Sequence, residues 1–223
     1  RVTNAMRSVY KLDNEVFPAV NKTLISIRSK SKDEMIYEQN AIIKAKEIVQ
    51  NHECYRIIES IHTECIDGSY YHVLRRKSGE ILLSFLEDRN NRNQQLAVLK
   101  DTTQFLQLLQ FNMDTVISCD EKNCENLTMR LAARITDNGI TLSDCVKYSL
   151  AEVCISFLFL PVVYNKDSHP ENWIIERTNG FQQKYIITAL DFQKKAAVPC
   201  VFDIANLMRY GDYITEENEL ILL

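Results

Sequence analysis

The chain has 223 residues, which is long enough for one large domain or a two-lobed unit with a substantial core. Hydrophobic residues make up 46% and charged residues 25%, values that exclude disorder for most of the chain. The net charge of −4 gives no general attraction to nucleic acid, and the longest apolar run (153–163) is far shorter than the roughly 20 residues that span a bilayer.

The N-terminal part is predicted to be rich in strands, with one main helix. The alternation in "LISIRSK" (24–30) indicates a strand, and a helix is predicted over 33–49 with Ser31 or Asp33 as its N-cap. Three further stretches are predicted strands: "YRIIESIHTECI" (55–66), "YYHVLRR" (70–76) and "EILLSFLED" (80–88). The last two are predicted to form a hairpin that turns on "KSG" (77–79).

From about residue 90 the apolar residues follow helical spacing. The predicted elements are a helix over 93–111, a loop over 112–126, helices over 127–135 and 142–159, a hairpin over 173–192 turning on Asn179-Gly180, and a helical stretch over 201–211. This order predicts an α+β protein with two lobes. Residues 1–88 would form the small β-rich N-lobe, and residues 89–223 a mostly helical C-lobe that carries the late hairpin.

The stretch "YNKDSHPENWII" (164–175) concentrates groups that can do chemistry. Asp167, His169 and Asn172 lie within it, and Asp191 follows at the far end of the predicted hairpin. Since a hairpin folds back on itself, Asn172 and Asp191 can converge and offer the hard oxygen ligands that Mg²⁺ prefers. Asp167 would then orient a hydroxyl nucleophile, the division of labour that phosphoryl transfer requires.

Two neighbours of Asp167 leave alternatives open. His169 either bonds the loop backbone near Asp191 or acts as a general base, and the first interpretation is favoured. Lys166 either neutralises the transferred phosphate or faces water.

The spacing Asp167-x4-Asn172, followed by a hairpin and Asp191-Phe192, resembles the catalytic loop and metal-binding Asp of the protein-kinase-like fold. "DSHPENWII" is similar to the loop of aminoglycoside and choline phosphotransferases, and "YNKDSHPENW" to that of HipA-type and phosphatidylinositol-kinase-like kinases. "PCVFDIANLM" (199–208) resembles the segment after the metal Asp in the phosphotransferases. The resemblance implies that Asp203 anchors the catalytic loop.

The same resemblance implies a nucleotide clamp in the N-lobe. Arg28, or Lys30 next on the same face, would grip the phosphates, and Glu38 would pair with that cation. Glu38 and Arg28 could equally be solvated surface charges. The predicted strand 80–88, with Ser84 and Leu86, would be the hinge that holds adenine through backbone hydrogen bonds.

No glycine precedes position 68, so the glycine-rich phosphate loop of many kinases is absent. Residues 11–20 would have to turn over the nucleotide at Asp13-Asn14.

These features predict an ATP- and Mg²⁺-dependent phosphotransferase that moves the γ-phosphoryl group to a hydroxyl. A protein Ser/Thr acceptor is slightly favoured over a small molecule. The short region after Asp191 leaves three alternatives open: a minimal enzyme, a trimmed chain, or an activating partner protein that completes the C-lobe. The alternatives are a pseudokinase that only binds ligands or partners, and an enzyme that transfers AMP. No nucleic acid partner is expected.

The seven cysteines are an odd number without the spacing of a disulfide framework, which predicts a reducing, cytoplasmic setting, with a translocated effector as a variant of it. The closest pair, Cys119 and Cys124, lacks the further ligands that a zinc site needs.

Overall fold

The computed structural model describes two kinds of segment. It gives the backbone alone for residues 2–3, 8–11, 24–29 and 117–118, and backbone with nearly all side chains for 31–66, 69–75, 77–114, 161–178, 184–192 and 198–208, besides isolated residues between 129 and 152. The helices predicted over 127–135 and 142–159 therefore lie almost wholly outside the described residues. The turns predicted at Asp13-Asn14 and Asn179-Gly180 lie outside them as well.

The strands in chain order are β1 (Val2–Thr3), β2 (Ser8–Lys11), β3 (Leu24–Ser29), β4 (Tyr55–Ile57), β5 (Glu59–Ile66), β6 (Ser69–Arg75), β7 (Glu80–Ile81), β8 (Ile117–Ser118), β9 (Pro161–Val163), β10 (Trp173–Arg177), β11 (Tyr185–Ala189) and β12 (Val198–Pro199). The described helices of more than one turn are α1 (Lys32–Val49), α2 (Leu82–Glu87), α3 (Arg92–Met113) and α4 (Val201–Met208). The strands form three sheets, in the orders β1-β2-β3-β6-β5, β4-β11-β10-β7 and β12-β9-β8.

Helix α1 confirms the prediction for the N-lobe helix. Its N-cap is Ser31, whose Oγ accepts a hydrogen bond of 3.2 Å from the backbone N–H of Glu34. Asp33 and Glu34 in the first turn and Lys46 in the last complement the helix dipole. The buried face of α1 packs on the first sheet and on α3.

The stretch 55–66 does not form the single strand that was predicted. It divides at Ile58, whose N–H donates to the carbonyl of Ala189 at 3.0 Å. The part before the break, β4, pairs in parallel with β11, whereas the part after it, β5, pairs with β6 in the first sheet. In chain order, therefore, a strand that belongs to the sheet of the C-terminal hairpin precedes the last two strands of the first sheet.

The hairpin predicted from 70–76 and 80–88 is also wrong. Strand β6 pairs with β3 and β5, while β7 is only two residues long and pairs with β10. Residues 82–87 form helix α2, because Leu82, Phe85 and Leu86 have the i, i+3, i+4 spacing that buries one helical face. The short run of mostly apolar residues from 81 to 86 fits a buried strand equally well on sequence grounds.

The C-terminal hairpin is confirmed, with Trp173 opposite Ala189 at its open end. Both edges of its sheet are strands from the N-terminal half of the chain, β4 beside β11 and β7 beside β10. Helix α3, also as predicted, packs across this sheet. Its Phe105 stacks on Tyr55 with ring centroids 4.4 Å apart and meets Trp173 edge-on at 5.5 Å.

In the described part of the chain, no helix is both long enough and apolar enough to cross a membrane.

Gly79 lies where the chain crosses from the first sheet to the second, and it yields a test of this packing. Its φ is +111°, and a Cβ atom there would lie 2.5 Å from the carbonyl oxygen of Ile175. We expect Gly79→Ala to lower the free energy of unfolding by about 2–3 kcal/mol through backbone strain and overpacking. Urea denaturation checks this, and a Gly79→Ala protein as stable as the wild type would contradict the close approach.

The matched control is Ser78→Ala, which removes only a 2.8 Å hydrogen bond between the exposed side chains of Ser78 and Glu176. It should change the free energy of unfolding by about 0.5 kcal/mol or less.

Candidate active site

The candidate catalytic loop joins β9 to β10 and ends in a single 3₁₀ turn, Pro170–Asn172. His169 caps this turn, and its Nδ1 accepts the backbone N–H of Glu171 at 3.2 Å. The Oε2 atom of Glu171 lies farther from Nδ1, at 3.7 Å. Since Nδ1 acts as an acceptor, the neutral ring carries its proton on Nε2. His169 bonds the loop backbone, as favoured from the sequence, although the bonded group is Glu171.

Asp203 on α4 anchors the loop, which confirms that expectation. Its side chain is 3% exposed, and Oδ2 accepts the N–H of Lys166 at 2.7 Å while Oδ1 accepts the N–H of Ser168 at 3.3 Å. Burial raises the pKa of Asp203, an effect that these N–H groups and the Lys166 ammonium oppose. One buried carboxylate therefore holds the residues on both sides of Asp167.

Asp167 and Asp191 share an unusual backbone conformation. Their φ angles are +55° and +53°, and within the described residues they are the sole non-glycine positions with positive φ. Non-glycine residues rarely adopt the left-handed region, although Asp tolerates it better than most, and such conformations concentrate at functional sites. At Asp167 it is supported by Asn165, whose Oδ1 accepts the N–H of Asp167 at 3.0 Å.

Asn172 connects the loop to the far end of the hairpin. Its carbonyl accepts the N–H of Leu190 at 2.9 Å, which places Asn172 beside the residue that precedes Asp191. Its Nδ2 donates to the carbonyl of Asp167 at 2.7 Å, so Oδ1 is the side-chain atom that could hold a metal.

The donor chemistry of this site fits magnesium. In the described part of the chain, no three His, Cys, Asp or Glu side chains gather into a metal cluster. Magnesium does not need such a cage, because one or two protein oxygens usually suffice when phosphates and water complete its shell. The amide oxygen of Asn172 and the carboxylate of Asp191 are donors of this hard type.

Lys166 does not face water, which was one of the two roles that the sequence left open for it. Its side chain is 1% exposed, and Nζ donates to the carbonyls of Leu190 and Asp191, the second at 2.9 Å. The ammonium also lies over the rings of Trp173, at 5.2 Å, and Phe192, at 4.8 Å. These contacts tie the catalytic loop to the Asp191 backbone rather than presenting a cation to a substrate.

Glu38 is not a solvated helix charge. It is 1% exposed, and its Oε2 lies 3.1 Å from Nδ1 of the fully buried His72, whose Nε2 lies 2.8 Å from Oγ of Ser60. The expected partner was a cation at Arg28 or Lys30, whose side chains lie outside the described residues. The acid is therefore buried against the first sheet with an imidazole among its partners.

Ser84 and Leu86 cannot form the predicted hinge strand, because both lie in α2. The carbonyl of Ser84 accepts the N–H of Asp88 at 3.1 Å, and that of Leu86 accepts Nε2 of Gln95 at 2.6 Å. Their backbone acceptors are thus already engaged. The correction follows from the helical packing of α2 described above.

Sequence reasoning missed two contributors to the loop. Oγ of Ser168 donates to the carbonyl of Asp203, and Nδ2 of Asn206 donates to Oδ1 of Asp167 at 3.1 Å. A signal for Asn206 did exist, since it follows Asp203 by one helical turn and must share its face of α4.

Tyr164, at the start of the loop, is 2% exposed, and its hydroxyl has no hydrogen-bond partner among the described residues. Burial raises the pKa of its phenol, and the neighbouring Tyr37 and Asp114 add to the effect, with smaller contributions from Asp191 and Asp203. The ring therefore contributes a neutral hydroxyl next to the acidic residues of the site.

No family model matches the sequence, and no curated protein matches it. Solved structures do share its fold. A GDP and kanamycin complex of APH(2″)-IIIa matches 92% of this chain and 73% of that chain at 16% identity, with a TM-score of 0.55.

Two further structures agree with this match. The GDP complex of wild-type aminoglycoside 2′-phosphotransferase-IIIa gives a TM-score of 0.55 at 15% identity over the same shares of the two chains. A point mutant of that enzyme in complex with GDP gives 0.51 at 15% identity, over 97% of this chain and 80% of that chain. The chain thus has the protein-kinase-like α+β fold of the aminoglycoside phosphotransferases, as the sequence predicts.

The burial of Lys166 is testable by replacing it with methionine, which keeps the apolar stem and removes the ammonium. We expect Lys166→Met to lower the free energy of unfolding by about 2–4 kcal/mol, because two carbonyls lose their donor. Lys184→Met is the matched control: Lys184 is 56% exposed and its Nζ lies 3.9 Å from Glu53, so the change should stay within about 0.5 kcal/mol. Equal effects in urea denaturation would contradict the structural role of Lys166.

Proposed function

We propose that this chain is a phosphotransferase that moves the γ-phosphoryl group of a purine nucleoside triphosphate to a hydroxyl of a small molecule. The observation that carries the proposal is the Leu190–Asn172 hydrogen bond, which brings Asn172 and Asp191 together at the open end of a hairpin whose preceding loop holds Asp167. ATP is the proposed donor, and GTP is its alternative because the matched structures contain GDP.

The acidic residues divide the work. Asp167 orients the acceptor hydroxyl and takes its proton as the hydroxyl oxygen bonds to the γ-phosphorus and the bond from that phosphorus to the β,γ-bridging oxygen breaks, so that the nucleoside diphosphate leaves. Asn172 and Asp191 hold magnesium, which when bound neutralises the charge that develops on the phosphoryl oxygens. Lys166 and Asp203 do not touch the reactants. Asp203 holds the backbone of the loop, and Lys166 holds the loop against the backbone of Asp191. Transfer is then mainly a matter of positioning and electrostatics.

The acceptor is proposed to be a small molecule, which replaces the slight preference for a protein Ser/Thr side chain. The support comes from the fold match, since the APH(2″)-IIIa structure holds kanamycin together with GDP. No feature of the described residues supports a protein acceptor.

Ser84 and Leu86 lie in α2, so they are no longer proposed to hold the nucleotide base. Arg28 or Lys30 remains the proposed phosphate clamp, and Glu38, its proposed partner, is buried.

The test uses γ-labelled and α-labelled ATP and GTP with magnesium, and it follows label transfer to water and to a panel of hydroxylated small molecules. Label from the γ position alone is expected. Asp167→Asn should lower the turnover by roughly a hundredfold or more, with nucleotide affinity close to wild type. Asp191→Asn should weaken binding of the magnesium nucleotide more than Asp167→Asn does, as measured by calorimetry.

Asp101→Asn is the matched control, since Asp101 is an exposed carboxylate on α3 outside the loop and the hairpin. It should leave turnover and affinity unchanged. Transfer of the α label would indicate AMP transfer instead, and nucleotide binding without any release of label would indicate a pseudokinase. A reversed order of affinity losses in the two aspartate variants would overturn the assigned roles.

A further inference from the structure

We propose that Asn206 is a positioning residue for phosphoryl transfer, acting through the carboxylate of Asp167. Its Nδ2 lies 3.1 Å from Oδ1 of Asp167, although the two residues are 39 positions apart in the chain. This inference rests on the proposed function, because it assigns Asn206 a part in the same reaction.

Helix α4 can hold both the backbone and the side chain of the catalytic loop. Asp203 and Asn206 lie one turn apart on the same face of α4. Asp203 accepts the backbone N–H groups on either side of Asp167, and Asn206 donates to the Asp167 carboxylate itself. The first contact sets where the loop lies, and the second limits rotation of the side chain about its χ angles.

Two further hydrogen bonds of Asp167 act on its backbone: its N–H donates to Asn165 and its carbonyl accepts from Asn172. Asn206 differs from these because it donates to the carboxylate itself and so restrains its orientation. A free rotation of this carboxylate would displace its oxygens by an ångström or more, and misplacement on that scale costs up to about a hundredfold in rate.

The chemical type of the donor matters as well. The carboxylates of Asp167 and Asp203 repel each other. Nζ of Lys166 donates to the carbonyls of Leu190 and Asp191, and Nδ1 of His169 accepts from the backbone of the turn. The neutral amide of Asn206 orients the Asp167 carboxylate without adding a further charge to this group of residues.

A double-mutant cycle distinguishes positioning from a general structural effect. The variants are Asn206→Leu, which has nearly the same shape but no donor, Asp167→Asn and the combination. The probe is release of the γ-phosphate of magnesium ATP, or of magnesium GTP if the wild type prefers it, to water. Asn206→Leu should lower kcat by between about tenfold and a hundredfold, with the nucleotide KM within about twofold.

In the Asp167→Asn background, the same Asn206→Leu change should alter kcat by less than about twofold, because the group through which it acts is gone. Multiplicative losses in the combined variant would overturn the inference. Asn206→Gln keeps a donor on a longer arm and should retain more activity than Asn206→Leu; equal losses would count against it. Asn112→Leu, which removes a 2.8 Å bond from an exposed amide to the carbonyl of Leu108, should leave kcat unchanged.

The contact itself has a readout that does not depend on activity. The side-chain amide resonances of Asn206 in ¹⁵N-labelled protein should shift in Asp167→Ala and stay in place in Asp101→Asn. Unmoved resonances in Asp167→Ala would overturn the inference whatever the kinetics. If the wild type releases no phosphate, the proposed function is overturned, and with it the catalytic consequence of the contact. If the wild type is active and the kcat losses of the two single variants multiply in the combined variant, the inference alone is overturned.

Discussion

The candidate site depends on the hydrogen bonds that the buried carboxylate of Asp203 accepts from the loop backbone. This carboxylate is nearly inaccessible to water, and burial raises its pKa, so its presence carries a cost in stability. That cost is offset by hydrogen bonds from the backbone N–H groups of Lys166 and Ser168. The same bonds hold Asp167 in its left-handed conformation between them. The chain thus uses a buried charge to fix the geometry of the acid that we propose takes part in the reaction.

The hairpin that follows the loop is the second constraint. Strands β4 and β7 bind its two edges, so its position depends on two separate passages of the N-terminal half of the chain. The stack of Tyr55, Phe105 and Trp173 continues this connection through α3 to the start of the hairpin. Asn172 and Asp191 at the open end are therefore supported from the loop, from both sheet edges and from the helix behind them. Such support suits a reaction that depends on positioning.

The loop between β9 and β10, the hairpin and the anchor Asp203 could be predicted from the sequence because each is encoded in a short run with its own spacing. Helix α2 could not, since a short, mostly apolar run such as residues 81–86 fits a buried strand or a buried helix, and only packing on the second sheet decides between the two forms. The contacts of Lys166 and Asn206 were difficult to predict for a different reason, although the position of Asn206 one helical turn after Asp203 was a signal for it. Their decisive partners are 24 to 39 positions away in the chain, and burial of a lysine contradicts its ordinary preference.

Hydrogen exchange tests the central role of Asp203 most directly. The amide protons of Lys166 and Ser168 should exchange slowly in the wild type and at least about tenfold faster in Asp203→Ala, because each loses its buried acceptor. The amide of Ile187, which donates to the carbonyl of Cys54 at 2.8 Å inside the second sheet, should keep its protection. Unchanged exchange at Lys166 and Ser168 in the variant would contradict the account, as would an equal loss of protection at Ile187.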